Sequence, residues 1–348
     1  MESQLLNQET TNKKMLKEKI IIVPQHLYFE ETIDFINSFA NIREERNYIF
    51  EFAKTTRIDP FSLLFVSSEL EIFKNNNPTS LFHARNFSHL TYPAHMGFFK
   101  SFGLNFGKEP GEASGSNTYS PIEILYVKDI KDLAWELMVN PGEVLENYAE
   151  NLSNILTQNK DKNIMDVLRY SIREILRNIV EHSESDKFSF CAQYLPSKQR
   201  VNFAVLDRGI GLKQSLSNNP KITIENDLEA IEWALKPGVS GKVYPGQKNK
   251  PKGEWANSGY GLFMTSNICK KGGSFFISTG KKGLLINEKQ EREFDLETHG
   301  TAIYLDIDLT SIYELSKMLY DLGKQIPKNV FLQPSKSTMD NNTKSLKI

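Results

Sequence analysis

Apolar residues recur at helical spacing over Ile164 to Glu184, with Leu168, Ile172, Ile175, Leu176 and Ile179 on one face, so a long amphipathic helix is predicted there. Four runs downstream, Phe188 to Tyr194, Val201 to Leu206, Ser274 to Ser278 and Thr301 to Ile307, alternate or are rich in β-branched and aromatic residues and read as strands. One long helix with at least four strands implies a mixed sheet covered by helices. Upstream, Tyr48 to Lys54 alternates as a strand. Pro60 to Phe73 reads as a helix with Asp59 as N-cap and Pro60 at its first position, and Thr91 to Phe102 predicts another helix. Both halves are therefore α/β.

Between them, Glu109 to Pro121 (EPGEASGSNTYSP) gathers Gly, Pro, Ser and Asn and marks a linker or long loop. The length of 348 residues favours two domains of ordinary size, each with its own apolar core. The chain divides into a flexible or helical arm over 1–18, a smaller α/β domain over 19–120, a larger domain with a C-terminal helix over 121–326, and a disordered tail over 327–348. From Gln333 that tail is rich in Ser, Lys, Asn and Thr. No internal repeat of fixed period is present.

Composition narrows the partners. With 42 basic and 43 acidic residues the net charge is -1, which gives no basic field for nonspecific nucleic-acid binding. The apolar stretches Ile20 to Val23 and Gly97 to Phe99 fall far short of the roughly 20 residues of a membrane span. Met1 to Lys19 is polar and Lys-rich with no apolar segment after it, unlike a secretory signal. Cys191 and Cys269 offer neither a disulfide framework nor metal-ligand spacing. A cytoplasmic protein is expected.

Four short segments carry candidate chemistry. In SIREILRNIVEHS, Glu174 and Asn178 stand one helical turn apart on one side of the predicted helix. An amide oxygen there suits a hard Mg2+ that already carries phosphates and waters, and a carboxylate a turn away suits polarising a water. A solvated polar face accounts for the same spacing. Directly after the strand VNFAVL comes Asp207-Arg-Gly209-Ile-Gly211-Leu212. There an acid can accept from an exocyclic amine such as that of adenine, and glycines let a base approach without a Cβ in the way; a tight turn is the alternative. Asn257-Ser-Gly259-Tyr260-Gly261-Leu262-Phe263 opens a predicted helix running to about Lys271, whose free amides suit phosphate or simply pack. The last is His299-Gly300-Thr301 at the start of the final strand, where the threonine hydroxyl can reach a base or its water.

In this order, helix, strand end, glycine loop and last strand, the segments over roughly Asp161 to Asp308 resemble the GHKL family of ATP-binding proteins, which includes gyrase and the histidine kinases. EILRN is similar to that family's N box, LDRGIGL and NSGYGLF to its two glycine boxes, and HGTAIYL to its Thr-bearing strand. The resemblance implies a Bergerat-type α/β sandwich that binds ATP with Mg2+. Glu174 would be the general base, Asn178 the Mg2+ ligand and Asp207 the adenine acceptor. Gly209 and Gly211 would line the base, the Gly259-Tyr260-Gly261-Leu262 segment would meet the phosphates, and Thr301 would support adenine recognition. The family's mobile lid would fall at Lys236 to Lys252 (KPGVSGKVYPGQKNKPK), which holds five lysines and no acid, with Lys242 the preferred phosphate contact.

Thr56 to Phe65, TRIDPFSLLF, is similar to the STAS fold of anti-sigma factor antagonists, which are phosphorylated on a Ser or Thr directly after the acid. Here Asp59 is followed by Pro60 and Phe61, with Ser62 later, so a helix cap accounts for the residues equally. None of the six histidines has the setting of a phosphoacceptor on a dimerisation helix. The leading expectation is an ATPase switch acting on a protein partner or domain, with a homodimer as one option. An anti-sigma-type serine/threonine kinase and a non-hydrolysing nucleotide sensor are the alternatives.

Overall fold

The computed structural model describes residues 3–5, 16–114, 117–158, 161–241, 259–313 and 315–323. The first part of the chain forms β1 (Ser3–Leu5), β2 (Glu18–Ile22), β3 (His26–Leu27), α1 (Phe29–Phe39), β4 (Asn47–Glu51), β5 (Arg57–Ile58), α2 (Pro60–Asn76) and β6 (Leu81–Arg85). Strands β2, β4 and β6 run parallel in a four-stranded sheet ordered β1-β6-β4-β2, with β1 antiparallel at its edge. Strands β3 and β5 form a small parallel pair.

Helix α2 begins at Pro60 with Asp59 in the extended capping position, although the Asp59 carboxylate does not cap and pairs with Arg57 Nε at 3.2 Å. The predicted helix over Thr91 to Phe102 is two short ones, α3 (Thr91–His95) and α4 (Phe98–Ser101). Gly97 separates them at φ +88°, where a Cβ would press on the backbone of Pro110 at 3.3 Å.

From Tyr119 the chain enters a second sheet. Its elements are β7 (Tyr119–Tyr126), α5 (Val127–Glu136), α6 (Pro141–Thr157), α7 (Lys162–His182), β8 (Lys187–Leu195), β9 (Arg200–Asp207), α8 (Gly211–Ser217), α9 (Asp227–Ala234), α10 (Gly261–Lys270), β10 (Gly273–Asn287), β11 (Glu291–Asp308) and α11 (Leu315–Gly323). The five strands are antiparallel in the order β10-β11-β9-β8-β7. Helix α7 starts where Asp161 accepts the amides of Asn163 and Ile164, at 2.8 and 3.4 Å.

Strands β10 and β11 run well beyond the predicted segments, because the pattern of burial breaks at Gly280, where the register shifts. Gly280 has φ +57° and a Cβ there would strike the Asp227 carboxylate, which accepts the next amide, Lys281 N–H, at 2.9 Å. His299 and Gly300 thus lie inside β11 rather than before it. Beyond the shift the hairpin leans on α1 through Arg292 to Glu30 (2.6 Å) and Asn37 Nδ2 to the Asp295 carbonyl (2.7 Å).

Around β9 the five-stranded sheet is buried on both faces, which is why VNFAVLD is buried at every position instead of at alternate ones. Val201, Phe203 and Val205 face the apolar side of α7, among Leu168, Ile172, Ile175, Leu176 and Ile179. Ala204 and Leu206 belong to the opposite cluster, which holds α1, α2 and the four-stranded sheet. Helix α2 is buried on nearly every side from Pro60 to Leu70. Phe73 meets Tyr48 at 4.9 Å on one side, and Phe61 meets Tyr304 at 5.2 Å and Phe276 at 5.7 Å on the other. The change of sheet falls at the linker segment, and one of the hydrophobic clusters runs across it.

Ser62 is wholly buried in α2, donating to the Leu27 carbonyl at 2.8 Å and sharing a hydrogen bond with Thr32 Oγ1 at 2.5 Å. A phosphoryl group on Ser62 would displace both hydrogen bonds. Ser62→Ala is expected to lower stability by about 1–2 kcal/mol, read as a lower denaturant midpoint, since it leaves a buried acceptor short of a donor. Among the described residues no helix is long and apolar enough to cross a membrane.

Candidate functional site

A cleft of about 740 Å³, counting the part open to solvent, lies between α7, the end of β9, the middle of β11, α8 and the start of α10. That size is ordinary for a small-molecule site. Its apolar walls come from residues such as Ile175, Ile179, Val205, Leu216, Val239 and Ile303. Asn178, Asp207, Gly211 and Thr301 supply polar or open positions, and Gly259, Gly261 and Leu262 close the side formed by α10. Residues from all four separated motifs thus share one concavity.

Asp207 ends β9, faces Thr301 across the β11 pairing and is 2% exposed. Burial pushes its carboxyl up from 3.8 to about 6, against the smaller opposing pull of the Gly209 N–H, which it accepts at 2.8 Å, the Arg208 charge and the Thr301 backbone. At neutral pH the group is a desolvated carboxylate, so a donor placed against it gains more than it would in water.

The glycines around it do different work. Gly209 rides on the end of α7, where a Cβ would fall 1.8 Å from the Ser183 carbonyl oxygen, and the next amide, Ile210 N–H, donates to that oxygen at 2.8 Å. It therefore fixes the turn and is not part of the cleft wall, while Gly211, at φ +72°, is. Thr279, which sequence reading missed, locks the turn from behind: its Oγ1 donates to the Gly300 carbonyl at 2.9 Å and accepts Leu212 N–H at 3.0 Å. Its partners lie 21 and 67 residues away, so no local pattern marks it. His182 also lines the cleft, with Nε2 3.8 Å from Glu181 Oε2, and was not singled out from sequence for this position.

Gly259 has φ +70° and meets the Val239 backbone so closely that a Cβ would lie 2.6 Å from its nitrogen. Gly238 N–H donates to the Gly259 carbonyl at 3.0 Å, and Asn219 Nδ2 to the Ser240 carbonyl at 2.7 Å. The chain therefore leaves the cleft at Gly241 and returns at Gly259 through a pinned base. The segment between, including Lys242 and most of the predicted lid, lies outside the described residues. Tyr260 is buried away from the cleft in a small cluster with Val167, Tyr170 and Met264.

Glu174 stands beside the cleft without lining it, at the N-terminus of α10: a Cβ on Gly261 would lie 2.7 Å from its Oε2. Its Oε1 accepts from Arg173 Nη2 at 2.5 Å, and Arg173, with no exposed side-chain surface, also donates through Nη1 to Glu146 Oε2 of α6 at 3.0 Å. Adjacent helical residues do not normally face one another, so this contact is invisible in the spacing. Among the described residues no group of three or more His, Cys, Asp or Glu side chains could hold a metal ion. Any cation here would depend on ligand oxygens for most of its shell. A scan of protein-family models finds none that matches the chain, and a search of curated proteins likewise finds no match.

Proposed function

We infer that the cleft binds ATP with Mg2+ and that the chain is a nucleotide-driven switch acting on a protein partner. The second sheet would then be a Bergerat-type unit of GHKL kind, and the first part a STAS-like companion. The observation that carries this reading is the buried carboxylate of Asp207 in an otherwise apolar cleft that also collects Asn178, Gly211, Gly259, Gly261 and Thr301. Such a carboxylate suits the exocyclic amine of adenine, and the apolar walls suit its ring.

In this reading Asp207 accepts the base, Gly211 clears its approach and Thr301 orients a water or ring nitrogen beside it. Asn178 provides the amide oxygen for Mg2+, and the N-terminus of α10 offers amides to phosphate. Bound ATP supplies the transferable terminal phosphate. Glu174 is held in place by Arg173 and accepts a proton from the attacking water. One observation favours the second reading, a non-hydrolysing sensor: the same Arg173 contact keeps the Glu174 carboxylate engaged in an ion pair. For the kinase alternative Ser62 is wholly buried, and the acceptor would be a separate protein.

ATP with Mg2+ at about 100 times its Kd is expected to stabilise the fold by about 2.7 kcal/mol and to raise the unfolding temperature. No shift with any adenine nucleotide would overturn the assignment. With terminally labelled ATP, released phosphate marks an ATPase, labelled partner a kinase, and unchanged ATP a sensor.

A further inference from the structure

Arg208 sits between Asp207 and Gly209, yet its side chain leaves the cleft and crosses to the first part of the chain. Its Nε donates to Ser68 Oγ at 3.0 Å, its Nη2 lies 2.9 Å from Glu69 Oε1, and its Nη1 donates to the His299 carbonyl at 3.1 Å. Ser68 and Glu69 belong to α2, and His299 precedes Thr301 by two residues in β11. One guanidinium therefore joins α2 to both segments that face the deep end of the cleft.

Glu69 is 2% exposed on a helix enclosed by apolar side chains. A carboxylate in that setting adds little net stability even when paired, whereas a planar fork hydrogen-bonded to Ser68 and His299 and ion-paired with Glu69 fixes geometry. The other side of the turn is held at α7 by Ile210 N–H to the Ser183 carbonyl. The Asp207 turn is thus suspended between α7 and α2, and a movement of α2 reaches it directly.

We propose that Glu69 and Ser68 are positioning residues for the cleft: through Arg208 they set the orientation of the Asp207 turn, and so couple the first part of the chain to ligand affinity. The proposal rests on the adenine-nucleotide reading for its ligand, but not for the tether itself. Coupling of this kind is reciprocal, so nucleotide binding also restrains α2.

The test uses the full chain with Glu69→Gln, Ser68→Ala and Glu69→Asp, reading amide exchange at Gly209 and Ile210 and the Kd of ATP with Mg2+. Glu69→Gln is expected to weaken binding about tenfold and Ser68→Ala about threefold, with faster exchange at the two turn amides and unchanged exchange in β8 and α7. Glu69→Asp, which keeps the charge, recovers part of the affinity. A merely structural role would speed exchange throughout and would not sort the variants by charge. Where the wild type binds ATP, Kd values within twofold of it in both Glu69→Gln and Ser68→Ala overturn the proposal. If Glu69→Gln does not fold, Ser68→Ala decides alone, since it buries no unpaired charge. A wild type that binds no adenine nucleotide overturns the nucleotide reading instead; in that case unchanged exchange at Gly209 and Ile210 in the variants refutes the tether, and faster local exchange upholds it.

Discussion

Glu174→Gln is expected to slow ATP hydrolysis by about 10² to 10⁴ while leaving ATP affinity unchanged. The amide matches the carboxylate in size and keeps an oxygen to accept from Arg173, whose charge Glu146 still offsets at 3.0 Å. The close fit of Gly261 against this side chain is likewise preserved. What disappears is the proton acceptor. Phosphate release at saturating ATP and calorimetric Kd measure the two quantities separately. Turnover equal to wild type would remove Glu174 from the chemistry. Asn178→Ala is expected to act on the other quantity, weakening binding in the presence of Mg2+ and leaving metal-free binding nearly unchanged.

Asp207→Asn is expected to weaken ATP binding while making the empty protein more stable. The loss of the charged acceptor should cost about 1 to 3 kcal/mol of affinity. The gain in stability follows from the buried charge. Holding this acid at about 6 instead of 3.8 costs the native state about 3 kcal/mol once both states are ionised. Because the folded state binds the proton more tightly, this cost is absent below about pH 4, grows as the pH rises and is complete above about pH 6. Unfolding midpoints of variant and wild type should therefore converge in acid and separate above pH 6, with the variant the more stable. ATP affinity of the wild type should fall as the pH drops below about 6, because protonation removes the acceptor; the variant should show no such fall. Parallel stability curves across that range would show that Asp207 bears no desolvation cost.

The parts of the structure legible from sequence were those set by short-range pattern. The α7 face, the strand before Asp207 and the start of α2 after Asp59 all follow from period, composition and the proline at the first helical position. The parts that were not legible depend on contacts between distant segments. Gly97 breaks a helix because Pro110 needs its space, and β10 continues through Gly280 because Asp227 receives the next amide. At the site, Asn178, Asp207 and Gly261 were visible because each belongs to a local motif. Thr279 and the Arg173 pairing were not, since one partner set is far along the chain and the other is a neighbour that ideal helix geometry turns away. Tyr260 shows the converse error: membership of a motif drew attention to a side chain that packs elsewhere.

The enclosure of α2 has a consequence for how the chain is made. One side of this helix packs on strands that follow or precede it closely, but Phe61 also requires Phe276 and Tyr304, which are synthesised far later. Strand β11, which carries Tyr304, is also the central link between β10 and β9. At roughly 5–20 residues per second, α2 waits on the order of ten seconds or more on the ribosome with an uncovered aromatic face. Nascent chains stalled before residue 291 should therefore engage chaperones that recognise apolar helices, and chains released after residue 308 should not.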